Sequence, residues 1–359
     1  MANLKNCAIL SDAFGPSGFE NDVADAVCKL LDGFDTRRDS MQNVYTFLPE
    51  QDVDMPLLLL DAHMDEVGFM VQSITDKGLM RLVPLGGWVE NNVPAHTFLV
   101  KNKNGELIKA VSTSKPPHFM SAAEKAAPLS MDNILLDAGV CNRNDTTELL
   151  GIEPGAPVCP DVTFEYNETT DMLLGKAFDC RLGCAAAIEV FGRLVQRPLN
   201  VRVAAAFSTQ EEVGLRGAKV TSARLRPALA ICLEGTPADD THMPECEIQG
   251  GLGRGVQIRH RDGSMISNPA FVAFAKRIAE ENGINYQCAV RTGGGTNGGS
   301  IHLAADGVPT IVLGIPVRYA HSHYGYAAQG DIDAAVDLAV AIIKALTPQA
   351  LQELLGDIV

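Results

Sequence analysis

The chain has 359 residues, enough to bury a substantial core as one large domain with an insertion or as two domains. Its 44 Asp and Glu against 29 Lys and Arg give a formal charge of −15 with no basic cluster, which argues against a nucleic-acid partner and is compatible with bound cations. Nine cysteines, an odd number without zinc-ribbon spacing, fit a reduced setting; with no apolar leader core in Met1 to Phe14 and no membrane-length apolar stretch, a soluble cytoplasmic protein without a membrane partner is expected.

From Ser17 to Phe34 the apolar residues Val23, Ala26, Val27, Leu30 and Leu31 share one helical face, and Ser17 and Glu20 have the spacing of a capping box, so a first helix is predicted there. Leu57 to Leu60 form an apolar run that passes into Asp61-Ala62-His63-Met64-Asp65, a buried strand delivering polar groups at its C-terminal end. After Gly68 the pattern changes to short alternating segments broken by Asp76-Lys77-Gly78, Gly86-Gly87 and Asn104-Gly105, which are hairpin and turn signals. They continue through Pro154-Gly155-Ala156-Pro157 to about Glu168. Residues 68–168 therefore read as a β-rich insertion in an α/β domain made of residues 1–67 and 169–359. In the second α/β portion an Ala-rich helix is predicted from Leu182 to Val195 and buried strands at Val201 to Phe207, Ala228 to Leu233 and Pro309 to Leu313. Pro269 opens and Gly283 closes a further helix, and Asp331 is expected to cap a final Ala-rich one. Strands alternating with helices imply a layered α/β core with functional groups at the strand ends.

Several polar residues stand at those ends. Glu211 and Glu212 follow the strand that closes at Phe207; adjacent carboxylates raise each other's pKa unless cations neutralise them, so the pair is either splayed into water or built around metal. His63 and Asp65, two apart on an extended backbone, point the same way, so one can ligate a metal while the other orients it. Asp179, just before a helix, is placed either to bridge two cations or to cap that helix. Glu234 at the end of an apolar strand and His321 after a strand and turn are each open to a plain structural reading, but all of these acids and imidazoles together point to metal.

Ala-His-Met-Asp-Glu-Val-Gly from Ala62, Thr-Gln-Glu-Glu-Val-Gly-Leu-Arg-Gly-Ala from Thr209, Lys-Pro-Pro-His from Lys115 and Arg-Tyr-Ala-His-Ser from Arg318 resemble the tetrahedral (TET) aminopeptidase family, which includes glutamyl and deblocking aminopeptidases. The likeness runs from Gly15-Pro16-Ser17-Gly18 to the last helix. It implies a zinc-exopeptidase-like mixed sheet flanked by helices, with the insertion a PDZ-like domain for dimerisation and possible assembly into a tetrahedral dodecamer. It also implies a metalloaminopeptidase that removes N-terminal residues from short peptides with a free N-terminus, using a water activated by two divalent ions, zinc or cobalt, with manganese as a third candidate. Carried over by residue, Asp179 would bridge, His63 and Glu234 would hold one ion and Glu212 and His321 the other. Glu211 would be the general base, and Asp65 would orient His63.

The chain also departs from the family pattern. Cys180 stands where many relatives have a second Asp, Asn297 replaces a usual Asp, Glu234 replaces a frequent Asp, Met41-Gln42-Asn43 lacks a usual Gly, and His323-Tyr324-Gly325 stands where Pro and Glu are common. These departures keep open a second reading, a repurposed or inactive relative acting in ligand binding or assembly, against which the retained Glu211 argues. An endoglucanase reading ranks last, because the histidines and the bridging Asp would have no purpose in it. Packing is expected of Cys180 and Cys184, a tight turn of Gly293-Gly294-Gly295, and a structural or subunit-contact role of His118. Arg291 reads as an ion-pair arginine, with contact to an acidic substrate side chain as the sharper alternative.

Overall fold

Leu57 to Leu60 point alternately to both faces of any strand they form, so that strand must be covered on both sides. In the computed structural model, which describes residues 3–356, all four are buried. Leu58 and Leu60 join the larger apolar core on one face of a sheet, and Leu59 joins a smaller core on the other.

The chain begins with α1 (Leu4–Asp12) and α2 (Asn21–Leu30), followed by β1 (Thr36–Arg38), β2 (Val44–Phe47) and β3 (Leu57–His63). Six strands then close on themselves: β4 (Gly68–Ile74), β5 (Met80–Leu85), β6 (Thr97–Lys101), β7 (Leu107–Thr113), β8 (Leu135–Asp137) and β9 (Pro157–Pro160) form a barrel in the order β4-β5-β8-β7-β6-β9, with the short α3 (Ala122–Ala126) outside it. Phe69, Val71, Met80, Phe98, Val100 and Val158 fill its interior, and the Trp88 ring stacks on Phe69 at 4.8 Å. Next come β10 (Glu165–Asn167), β11 (Met172–Gly175), α4 (Phe178–Leu194), β12 (Arg202–Ser208), α5 (Arg216–Leu225) and β13 (Leu229–Pro237). The rest is β14 (Val256–Arg261), α6 (Pro269–Glu281), β15 (Tyr286–Val290), α7 (Gly298–Ile301), β16 (Thr310–Val317), β17 (Gly325–Ala328), α8 (Gln329–Ala345) and α9 (Pro348–Leu355).

The main sheet has eight strands in the order β1-β2-β12-β3-β13-β16-β14-β15. Its centre, β12-β3-β13-β16, is parallel, while β2 and β14 join it antiparallel, so the sheet is mixed. Helices α4, α6 and α8 cover one face, with α1 packed on α4, and α5 and α7 cover the other. Register places the functional ends together: Ser208 of β12 pairs with His63 of β3, and Cys232 of β13 pairs with Asp61, so two residues further along Glu234 comes level with His63.

Four local expectations change. A helix precedes the one predicted as first, and α2 begins only at Asn21, without a side-chain cap, because Ser17 and Glu20 are bonded elsewhere. β13 continues through Glu234 to Pro237 instead of ending before it. Asp331 lies in the first turn of α8, yet its carboxylate accepts the amides of Gly253 and Gly255 from a distant loop. The last helix is α9, and no single helix among the described residues is long and apolar enough to cross a membrane; α8 and α9 reach that length only together, across a bend of 101°.

Candidate metal centre

Parallel strands leave their C-terminal ends on one edge of the sheet, and this chain places its acids there. His63 is the last residue of β3, Glu211 and Glu212 lie in the turn between β12 and α5, Glu234 is within the exit of β13, and His321 follows β16. Asp179 sits at the entry of α4, where Asp179 and Cys180 depart from helical geometry and the peptide between them is cis. All seven residues singled out from the sequence come together, with Asp65 behind the other six.

The Asp179 carboxylate divides the group in two. Its Oδ1 lies 3.1 Å from His63 Nε2, and its Oδ2 lies 3.6 Å from His321 Nε2. On the His63 side Glu234 Oε2 is 3.6 Å from the same imidazole nitrogen and Glu211 Oε2 is 4.0 Å away. On the other side Glu212 Oε2 is 3.4 Å from His321 Nε2. The outward nitrogens are held as well: His63 Nδ1 lies 3.3 Å from Asp65 Oδ1, and His321 Nδ1 lies 3.0 Å from the Gly87 carbonyl. Asp65 also accepts the amides of Glu211 and Glu212 and the Ser17 hydroxyl.

Four carboxylates thus face two imidazoles, and among the described residues no Lys or Arg forms a salt bridge to Asp179, Glu211, Glu212 or Glu234. The electrostatic consequences follow. Burial, with Asp179 nearby, pushes Glu212 up to about 8 and Glu234 up to about 7, and burial holds Glu211 well above the usual carboxylate range. Asp179 feels the same burial, but its bonds to His321 and His63 bring it well below that range. His321 is opposed by burial yet raised to about 9 by Asp179 and Glu212. Glu234 Oε1 is buried with no hydrogen-bond partner. An uncompensated cluster of oxygen and imidazole donors in two groups sharing one carboxylate suits divalent cations, and a buried oxygen left unpaired is what a ligand atom looks like without its ion. The residues fit a metal centre.

The cluster opens into a pocket of about 620 Å³ whose walls include Thr236, Arg259, Arg291, the Gly293–Gly295 turn and Leu215. Arg291 donates to Asp239 at 2.8 Å and to the Pro237 carbonyl, so its charge is already engaged. The thiols of Cys180 and Cys184 are buried and donate to the carbonyls of Leu233 and His63; burial pushes Cys184 up to about 12 and holds Cys180 well above the ordinary thiol range, leaving neither as a nucleophile. Asn297 lies behind the strand ends, donating to Asp61 and Ser208. His323 is buried against His96, Phe98 and Trp88, and burial with His96 beside it lowers its pKa to about 3. His118 is exposed on the Pro117–Phe119 turn of the insertion.

Sequence reasoning missed the part played by Gly86 and Gly87, which lie in a loop following barrel strand β5. Gly86 has φ +85°, and a Cβ there would approach Val67 to 2.7 Å and Glu212 Cβ to 3.2 Å, while Gly87 supplies the carbonyl for His321. The double glycine was the available signal, read as a turn alone.

A family model described as M42 glutamyl aminopeptidase matches residues 43–338. The glutamyl aminopeptidase of Lactococcus lactis subsp. cremoris is 31% identical over 348 residues, covering 96% of this chain and 97% of that protein. Among solved structures, the TET aminopeptidase of a marine sediment Thaumarchaeota archaeon superposes with a TM-score of 0.92 at 30% identity, covering 97% of this chain and 98% of its own. The TET1 peptidase of Pyrococcus horikoshii, which can assemble into a tetrahedron or a large octahedral shell, gives 0.84 at 27% identity, with 96% of this chain and 99% of that one covered.

Proposed function

The chain belongs to the M42 glutamyl aminopeptidase family and is a peptide hydrolase, and from that premise we propose that it is a two-metal aminopeptidase removing N-terminal residues from short peptides. The single observation that carries the reading is the Asp179 carboxylate, which turns one oxygen toward His63 and the other toward His321. On this reading Asp179 is shared, His63 and Glu234 complete one site, and Glu212 and His321 complete the other, with zinc, cobalt or manganese as occupant. Bound divalent cations supply Lewis acidity toward the peptide carbonyl and make a water easier to deprotonate.

The chain's own groups do the rest. Glu211 takes the proton of the attacking water and returns it to the departing amine, a role that its raised affinity for protons suits. Asp65 fixes the ring of His63 through Nδ1, and the Gly87 carbonyl fixes His321 in the same way. The surplus of negative charge favours a substrate with a free, positively charged amino end. The barrel is the assembly module, through which copies pair as dimers and build toward a tetrahedral dodecamer in the cytoplasm.

The test is to strip metal, restore zinc, cobalt or manganese separately, and measure release from free and N-acetylated aminoacyl substrates. Metal-dependent release from the free substrates is expected. No such hydrolysis across the panel would defeat the peptidase reading, and equal rates on the acetylated set would defeat the requirement for a free amine.

A further inference from the structure

We propose that Glu20 is a positioning residue for the hydrolytic reaction: through the backbone of Gln210 its carboxylate holds Glu211 and Glu212 in place at the metal centre. The inference rests on the roles given above to those two acids.

Glu20 is 2% exposed and stands at the N-cap position of α2, where it makes no side-chain capping bond. Its Oε1 instead accepts the Gly18 amide at 2.8 Å and, from 190 residues further along the chain, the Gln210 amide at 3.0 Å. Gln210 needs such a hold. Its φ of 54° lies in the left-handed region, which a residue with a side chain occupies only when its surroundings impose it. The neighbouring amides are held in the same way: Thr209 donates to Asn43 Oδ1 at 2.8 Å, Glu211 to Asp65 Oδ1 at 2.9 Å and Glu212 to Asp65 Oδ2 at 3.1 Å. Four successive amides are therefore each bound by a side-chain oxygen from elsewhere in the chain, and Glu20 supplies the one at the strained residue.

The N-terminal segment that carries Glu20 is itself anchored. Ser17 donates to Asp65 Oδ2 at 2.6 Å, and Gly15 exchanges hydrogen bonds with Glu66 through its amide and its carbonyl. Residues 15–20 thus brace the turn that presents both acids. Burial and Asp65 push the Glu20 carboxyl up to about 7, but either protonation state keeps an acceptor oxygen, so the brace depends on the oxygen and not on the charge.

The test compares Glu20→Ala, which removes the oxygen, with Glu20→Gln, which keeps it, in the full-length metal-loaded protein. Hydrogen exchange is read at the amides of residues 209–212, together with bound metal and, on a substrate that the parent protein cleaves, kcat and KM. Glu20→Ala is expected to speed exchange in 209–212 about tenfold and to lower kcat by roughly tenfold or more, with KM and metal content nearly unchanged, because small displacements of a reacting group cost rate more than binding. Glu20→Gln should match the parent in every readout. Parent-like exchange in Glu20→Ala, equal damage in both variants, or exchange rising uniformly over barrel and core would overturn the proposal. Should Glu20→Ala not fold, Glu20→Asp, which withdraws the oxygen by one methylene, takes its place. If the parent shows no metal-dependent hydrolysis, the functional reading fails while the exchange comparison still decides whether the brace exists.

Discussion

Two buried ionic clusters lie side by side in this molecule, and they obey opposite rules. In the first, Glu66 Oε1 receives Lys176 Nζ at 2.6 Å and Arg181 Nη2 at 3.2 Å; Lys176 also donates to the Ala13 carbonyl, and Arg181 to the carbonyls of Leu10, Ala13, Gly15 and Met64. Two cations there share one carboxylate, and backbone carbonyl oxygens within the chain take up the excess positive charge. In the second, Asp179, which lies between Lys176 and Arg181 in sequence, joins Glu211, Glu212 and Glu234 around two imidazoles, and among the described residues no Lys or Arg forms a salt bridge to these four acids. Burial of charge does not by itself mark a functional site, since the first cluster is as deeply buried as the second. What separates them is how the excess charge is met: backbone carbonyls of the chain take up the first cluster's, whereas the second cluster's four carboxylates have no Lys or Arg salt bridge among the described residues and must take countercharge from outside.

The strongest way to break this contrast is to substitute within the second cluster. Glu211→Gln is expected to lower kcat by roughly 10²–10⁴-fold while bound metal, read by elemental analysis, stays at the parent level. Glu212→Gln should lose both turnover and metal. If the Glu211 variant sheds metal, the division of labour between the adjacent acids is wrong. In the first cluster, Glu66→Ala leaves two buried cations unpaired and should cost about 3–5 kcal/mol in denaturant titrations, whether or not metal is added. A deficit that added metal repairs would mean the two clusters are one system.

A pH series on the metal-free protein sharpens the comparison further. Glu212 at about 8, Glu234 at about 7 and His321 at about 9 all bind protons more tightly folded than unfolded, so the stability they contribute is present at low pH and is lost as pH rises through those values. Calorimetry should show Tm of the stripped protein falling by roughly 5 °C between pH 5 and 9, with the loaded protein nearly flat. A rise over that window would contradict the assignment of these groups to an uncompensated cluster. The smallest effect is expected at Arg291, whose guanidinium is already paired with Asp239: Arg291→Ala should change kcat/KM on glutamyl and leucyl substrates alike by less than about threefold. Loss confined to the glutamyl substrate would instead make Arg291 a contact for an acidic side chain.

The strand-end acids were legible because each follows an apolar run that can only be a covered strand, and that local pattern carries its own address. Ser17 and Glu20 show where such reading fails. Their spacing is that of a capping box, yet their partners are Asp65 and Gln210, and nothing in the spacing distinguishes a donor three residues away from one 190 residues away. Asp331 misled in the same manner. The closure of the barrel was equally hidden, because the pairing of β4 with β9 joins segments of the insertion far apart in sequence, whereas the β4–β5 and β6–β7 hairpins were announced by their turns. His323 stands out in the sequence only as a departure from the family pattern; its burial against Phe98 and Trp88 depends on where the barrel meets the core, which no periodicity encodes.

The closed barrel has one more consequence. A sheet that returns on itself from β9 to β4 offers no row of unpaired amides and carbonyls along a free margin, so a second copy has no strand to extend and fibre-like growth has no template there. Any joint between copies made on the barrel must consist of side chains meeting across its outer wall, which makes it sensitive to single substitutions and to salt.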